Sequence, residues 1–395
     1  MVKQHEVDGD DIIPCVSNPT LPSPTEPPRW ITRPDQLKRM AADLARYPLI
    51  SVDTESNSLY AYQEQVCLIQ FSTGQADYLV DPLVLHDELP YLAPIFANPL
   101  IEKIFHAAEY DIICLKRDFE LSFSSLFDTM LAARILGRAA VGLASILAEE
   151  FNLELDKRYQ RANWGQRPLL PALLAYARLD TFYLIPLRER LKTALQECGR
   201  WELAQEDFQR LCRTAVPEAN YNDLWTRVAG GQDLTPAQAA VLEELCKYRD
   251  RCAQEADLPA FKVLANQVLA EIAQLSPLTL DDLKAVKGLS PRQLSRHGER
   301  LLQAVHRGLN GKPLHRPTNH RPDERILTRL ERLRNWRKLA GKNMGVESDV
   351  ILPRDMMEHL AQAAPTNMED LAAIMQDLPW RLEHFGPELL STIKK

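Results

Sequence analysis

The C-terminal part of this chain is written twice. A shift of 88 positions sets Leu242, Leu245, Tyr248 and Arg249 against Leu330, Leu333, Trp336 and Arg337. It sets Pro277, Asp282, Leu283 and Val286 against Pro365, Asp370, Leu371 and Ile374. Pro291, Leu294, Gly298, Leu301, Leu302 and Val305 fall on Pro379, Leu382, Gly386, Leu389, Leu390 and Ile393. No gap is needed over more than sixty residues. Two unrelated amphipathic helices would share the apolar period but not the prolines and the glycine. The pattern predicts two copies of one all-α module, at 225–310 and 323–395, joined by a polar linker at 311–322.

The first half reads differently. Residues 1–28 hold six prolines and are expected to form an extended or disordered tail. A helix is expected after Pro34, through Leu37–Leu44. Pro48–Asp53, Val66–Phe71 and Ala76–Val80 are apolar runs with short polar connectors, the pattern of an antiparallel meander. Ile101–His106 and Ser125–Asp128 read as two more strands, separated by a helix holding Asp111–Arg117. From Met130 to Leu211 the period is helical. The expectation for 29–215 is one α/β domain, a mixed sheet flanked by helices.

Within that domain, acids stand where apolar runs should be buried. They are Asp53 and Glu55 in Ser-Val-Asp-Thr-Glu-Ser, Asp111 in His-Ala-Ala-Glu-Tyr-Asp, and Asp180 in Tyr-Ala-Arg-Leu-Asp. A buried carboxylate needs something to offset its charge. Side chains at i and i+2 of a strand share a face, so Asp53 and Glu55 project together if the strand runs to 55. Tyr176 and Asp180 are four apart and share a helix face. Hard divalent cations take carboxylate oxygens and substrate phosphates together. A pair of such cations can hold both the attacking and the leaving oxygen of a phosphodiester. With an unperturbed pKa near ~10, the Tyr176 phenol suits orienting a water better than acting as a base. None of these signals is specific alone. Their conjunction, in order and in the right elements, points to metal-dependent phosphodiester chemistry.

These residues resemble the DEDD exonuclease superfamily, in the subgroup with tyrosine in its last motif. Motif one is Asp53-Thr54-Glu55, motif two ends at Asp111, and motif three is Tyr176-x-x-x-Asp180. Val66–Gln70, Phe127–Ala133 and Gln160–Leu169 extend the resemblance to the ribonuclease D family over about 30–215. The two helical copies resemble HRDC domains, the second more divergent. The resemblance implies a ribonuclease H-like fold and 3′→5′ hydrolysis releasing nucleoside 5′-monophosphates. It further implies Mg²⁺ or Mn²⁺, two ions held by Asp53, Glu55, Asp111 and Asp180, with Tyr176 orienting the water. RNA 3′ ends, such as those of tRNA precursors, are the implied substrates.

Other residues are candidates for substrate contact. Residues 157–179 hold Lys157, Arg158, Arg161, Arg167 and Arg178 with no acid, and Tyr159 and Trp164 among them. Charge for phosphates and rings for bases suit a single strand, which singles out Arg161, Trp164 and Arg167. Thr54, Gln70 and His106 lie beside the acids. Asp128 reads as a helix N-cap rather than a metal ligand. In the first helical copy Arg292, Arg296, Arg300 and five other cations are nearly balanced by acids, which leaves RNA contact and a structural role both open.

The net charge of −7 excludes a global basic field, so RNA must be held by local patches. Seven dispersed cysteines without a Cys-x-x-Cys pair argue against structural zinc and for a reducing cytoplasm. The first residues lack the apolar segment of a secretory signal, and no apolar run is long enough for a membrane span. A DNA exonuclease of the same superfamily and a non-catalytic RNA-binding scaffold are the alternative functions.

Overall fold

The computed structural model describes residues 21, 23–156, 158–217, 224–229, 233–316 and 323–394. The expected tail therefore lies almost wholly outside the described residues, as do Lys157 and linker residues 317–322.

The order of elements in the first part is β1 (Arg29–Ile31), α1 (Pro34–Leu44), β2 (Leu49–Ser56), β3 (Val66–Ser72), β4 (Asp77–Val80), α2 (Ala93–Ala97), β5 (Glu102–Phe105), α3 (Glu109–Phe119), β6 (Leu126–Asp128), α4 (Thr129–Ile135), α5 (Leu143–Phe151), α6 (Pro171–Phe182), α7 (Leu184–Glu197) and α8 (Trp201–Cys212). The strands form one sheet in the order β1-β4-β3-β2-β5-β6. β2–β3 and β3–β4 are antiparallel, as the short connectors require, whereas β2–β5 and β5–β6 are parallel. The sheet is thus mixed and flanked by helices. β1 was not legible in the sequence. It is three residues long and exists through its parallel pairing with β4.

Every residue of β3 is buried, as expected for an interior strand covered on both faces. Ile50 and Val52 of β2 join one core with Leu37, Met40, Ile112 and Leu115 of α1 and α3. The opposite face, which carries Asp53 and Glu55, is crossed by α6. Residues 152–156 and 158–170 are not helical, contrary to the continuous helical period expected from Met130 to Leu211.

The rest is helical. It comprises α9 (Leu224–Ala229), α10 (Pro236–Ala256), α11 (Ala260–Val263), α12 (Asn266–Leu275), α13 (Leu280–Lys284), α14 (Pro291–Leu309), α15 (Glu324–Met344), α16 (Ser348–Ile351), α17 (Arg354–Ala363), α18 (Met368–Ile374) and α19 (Pro379–Lys394). From α10 to α14 and from α15 to α19 the same five helices recur, each around its own apolar core. The repeated Arg249 and Arg337 do the same work, donating to the carbonyls of Leu264 and Leu352 at 3.1 and 2.9 Å.

The two copies meet the sheet domain differently. The first touches the β2–β3 loop: Tyr62 N–H donates to Asp257 at 3.1 Å and the Tyr62 hydroxyl to Asp250 at 3.0 Å. The second docks on α8. Arg381, wholly buried, pairs with Glu206 at 2.7 Å and Asp207 at 2.9 Å. Arg200 reaches across to the carbonyl of Met344 at 2.6 Å.

Candidate active site

β2 presents Asp53 opposite Gln70 and Glu55 opposite Leu68, and its register breaks just after Glu55. The strand therefore runs far enough to put both acids on one face. α6 begins at Pro171, a good first helical residue, and brings Tyr176 and Asp180 over that face one turn apart. Carboxylate oxygens of Asp53, Glu55 and Asp180 all lie within 4.8 Å of one another. Asp111 comes from the first turn of α3, and its carboxylate accepts a hydrogen bond from the Thr54 hydroxyl. Thr54 thus links the two strand-borne acids to the fourth.

Asp128 sets the position of Asp111. Its carboxylate accepts from the N–H groups of Met130 and Leu131 at 2.8 and 3.0 Å, capping α4. It also accepts from those of Ala107 and Ala108, at 3.2 and 2.7 Å. Ala107 has φ of +64°, a conformation costly for a residue with a Cβ. These bonds hold the turn that starts α3. Asp128 is a cap, as expected, and burial raises its carboxyl against the four backbone bonds that oppose it.

The four site acids have less to oppose their burial, and they repel one another. Burial pushes the Glu55 carboxyl up to about 9, with the charges of Asp180 and Asp111 adding to it. Burial pushes Asp111 up to about 7, against the Thr54 bond, and Asp180 up to about 7. Asp53 is raised well above the usual carboxylate range by burial, then by Asp111, Asp180 and Glu55. Every one of these shifts disfavours the ionised form, and among the described residues none of the four acids has a cationic partner. A divalent cation is the group such a donor set fits, with Asp53, Glu55 and Asp180 already within one ion's reach.

A cleft of about 490 Å³ opens over the acids, lined by Asp53, Glu55, Tyr176 and Asp180 together with Thr54 and His106. The Tyr176 ring packs edge-on against Tyr159 and beside Trp164, at centroid distances of 5.7 and 6.3 Å. Burial, then the charges of Asp180, Glu55 and Asp53, raise its phenol further, so it stays protonated. Thr129 spends its hydroxyl hydrogen on the Phe105 carbonyl, so its oxygen accepts from His106 Nδ1 at 2.9 Å and Nε2 is left as an acceptor. Burial pushes His106 down to about 4, so it is neutral at pH 7.

Three expected substrate contacts do not hold. Gln70 is 0% exposed and Trp164 1%, so neither has surface to offer a nucleotide. Trp164 instead buttresses Tyr176. Arg167 is turned inward, pairing with Asp81 at 2.7 Å and donating to the carbonyls of Cys67 and Trp164. Arg178 is buried against Asp77 and Arg158 pairs with Asp156. Of the described cations in 158–179, Arg161 is the one that is exposed and unpaired. Sequence reasoning missed Ser145, Asp156 and Gln160, which also line the cleft. Ser145 lies in the first turn of α5, whose leading N–H groups have no acceptor within the helix. A helix start predicted there would have been the signal.

Four converging carboxylates, Asp111 buried and the other three half-buried, with no paired cation among the described residues, are the pattern of the DEDD class of 3′–5′ exonucleases. A sequence profile described as 3′-5′ exonuclease matches residues 28–196, and one described as HRDC domain matches 238–305 and 327–393. Ribonuclease D of Serratia proteamaculans is 30% identical over 280 residues, 70% of this chain and 74% of that protein. The chain belongs to the ribonuclease D family. It is also 32% identical over 265 residues to the exosome complex exonuclease RRP6 of Saccharomyces cerevisiae, 63% of this chain and 36% of that protein. This chain spans about a third to a half of the length of the RRP6-type relatives it matches. The crystal structure of Escherichia coli RNase D shares the fold, with a TM-score of 0.67 at 24% identity over 93% of this chain and 99% of that one.

Proposed function

We propose that this chain is a metal-dependent 3′→5′ exoribonuclease that releases nucleoside 5′-monophosphates and trims the 3′ ends of structured RNAs such as tRNA precursors. The observation that carries this reading is the convergence of Asp53, Glu55, Asp111 and Asp180 with no cation among the described residues paired to them. Residues 29–215 are its catalytic domain, followed by modules at 225–310 and 323–395. Two divalent cations, Mg²⁺ or Mn²⁺, fit the four acids and when bound supply Lewis acidity at the scissile phosphate.

The chain's own residues do the rest. Tyr176, kept protonated and wedged between aromatic rings, orients the attacking water by its hydroxyl. Water attacks the terminal phosphorus and the P–O3′ bond breaks. The shortened RNA keeps a 3′-hydroxyl and the released nucleotide keeps the phosphate on its 5′ oxygen. His106, neutral at the cleft wall, offers an acceptor to a sugar hydroxyl. The first turn of α5 offers backbone donors to a phosphate.

Matched RNA and DNA oligomers digested with Mg²⁺ and then with EDTA test the reading. The expected result is nucleoside 5′-monophosphates from RNA alone, and none in EDTA. Digestion of DNA only would make it a DNA exonuclease, and binding without digestion a scaffold.

A further inference from the structure

We propose that an open cationic face on the first helical module, built from Lys262, Arg292, Arg296 and Arg300, holds phosphates of the RNA body upstream of the 3′ end in the cleft. The proposal rests on the function proposed above. Its source is a comparison that the duplication makes possible. The two modules carry the same face, at positions 88 apart, and use it differently. In the second module Val350 and Trp380 occupy this face, and both pack into the catalytic domain's core around α7 and α8. The first module has Lys262 and Arg292 at those positions. His384 and Glu388 correspond to Arg296 and Arg300. The face that is apolar where it packs into the catalytic domain's core is basic in the copy that does not pack there.

In the first module this face is a pocket of about 660 Å³, whose lining holds those four cations and one acid, Glu255. Among the described residues none of the four forms an ion pair, although acids abound in a chain with a net charge of −7. Burial and then the charges of Arg296 and Arg300 hold His297 below its usual range, which marks a locally positive field. Exposed guanidinium groups with no carboxylate partner, in a concave setting, suit phosphate oxygens.

A series of contacts runs from the pocket towards the cleft. Lys262 Nζ lies 4.3 Å from the centre of the Tyr60 ring. The Tyr60 hydroxyl donates to the Arg161 carbonyl at 2.6 Å, and Arg161 follows Gln160, which lines the cleft. The cations of the pocket, Lys262 and exposed Arg161 therefore mark one route for a polyanion. An acidic protein is the other occupant that charge would allow. RNA is favoured because this route ends at a nuclease cleft.

The test uses the full chain, with Arg292→Glu/Arg296→Glu as the main variant and Lys262→Gln as a milder second one. The probes are a hairpin RNA with a single-stranded 3′ tail and a trinucleotide. Binding is read by fluorescence anisotropy in EDTA over a range of salt, and turnover separately with Mg²⁺. The expected result is a hairpin Kd raised about tenfold and a salt slope reduced by about two. KM for the hairpin should rise with it, while kcat and trinucleotide turnover stay as in the parent. Arg292→Lys/Arg296→Lys should retain most binding. An unchanged Kd and salt slope, as expected if the face serves an acidic protein, overturns the proposal. So does a loss shared equally by the trinucleotide. Because binding is read without metal, a parent chain that fails to hydrolyse RNA would sink the proposed function and leave this result readable.

Discussion

Two groups of carboxylates sit in this molecule under opposite conditions. Glu206 is 4% exposed and faces Arg381, which also takes Asp207 and two backbone carbonyls. Asp111 is buried and Asp53, Glu55 and Asp180 are half-buried, and the four face mainly each other. Asp77 with Arg178 and Asp81 with Arg167 follow the first pattern. The fold offsets acids when they serve structure. Where it leaves them without an offset, the missing charge has to come from outside, and the cost of waiting for it is carried by the folded state.

The largest expected effects separate the two groups. Asp180→Asn should lower RNA turnover about 10³-fold or more. It should also raise the metal-free Tm at pH 8 by about 2–4 °C, because a repelled charge is removed. Arg381→Ala should do the reverse. It leaves Glu206 buried and unpaired, which costs about 3–5 kcal/mol, while each folded molecule keeps its turnover. Arg381→Met/Glu206→Gln should recover most of the loss. Denaturant titration and initial rates on the same samples check both. A metal-free Asp180→Asn protein less stable than its parent would break the comparison.

The next effect concerns pH. The site acids have folded-state pKa values raised above their unfolded values near ~4, with Asp111 and Asp180 up to about 7 and Glu55 up to about 9. A raised carboxylate contributes stability that is whole below the unfolded value and lost as pH rises through the folded one. The Tm in EDTA should therefore fall as pH climbs from about 4 towards 9. His106, pushed down to about 4, has the opposite sign and weakens the fold as pH falls below its ordinary value of 6.5. Measurements between pH 6.5 and about 8 isolate the acids, because burial pushes Lys103 down to about 8 and its loss of charge acts with the opposite sign above that. Saturating Mg²⁺ or Mn²⁺ should reverse the loss, by about 2.7 kcal/mol at a hundredfold excess over Kd, and more at pH 8.5 than at pH 7. A metal-induced Tm shift that does not grow with pH would mean that the acids are already ionised without it.

Much of this was legible before the structure. Asp53 and Glu55 could be read because a strand's period is short and its burial shows as an unbroken apolar run. Asp128 could be read because a cap is a local event. Trp164 and Arg167 were misread for one reason: each sits in a basic, irregular stretch that looks like a solvated arch. Their partners, Tyr176 and Asp81, come from other elements. Local pattern cannot say whether an aromatic among cations faces a base or a neighbouring ring. The duplication was plain, but its consequence was not. Replacing Gln293 by Arg381 at one matched position pins the second module to Glu206, and nothing in sequence placed Glu206 opposite it. Ser145 and Gln160 enter the cleft from segments with no period to read.

Tyr176→Phe should give the smallest effect and the sharpest one. The ring keeps its packing against Tyr159 and Trp164, so the fold and the metal-induced Tm shift should be those of the parent. The hydroxyl is lost, and kcat should fall about tenfold, the worth of one well-placed hydrogen bond. Because burial and the neighbouring acids raise the phenol above its ordinary value, no basic limb of the pH–rate profile belongs to it. The parent and the variant should therefore share one profile shape, displaced in height. If the variant instead loses a limb, Tyr176 exchanges a proton during turnover. If it matches the parent in rate, the phenol only fills space beside the acids.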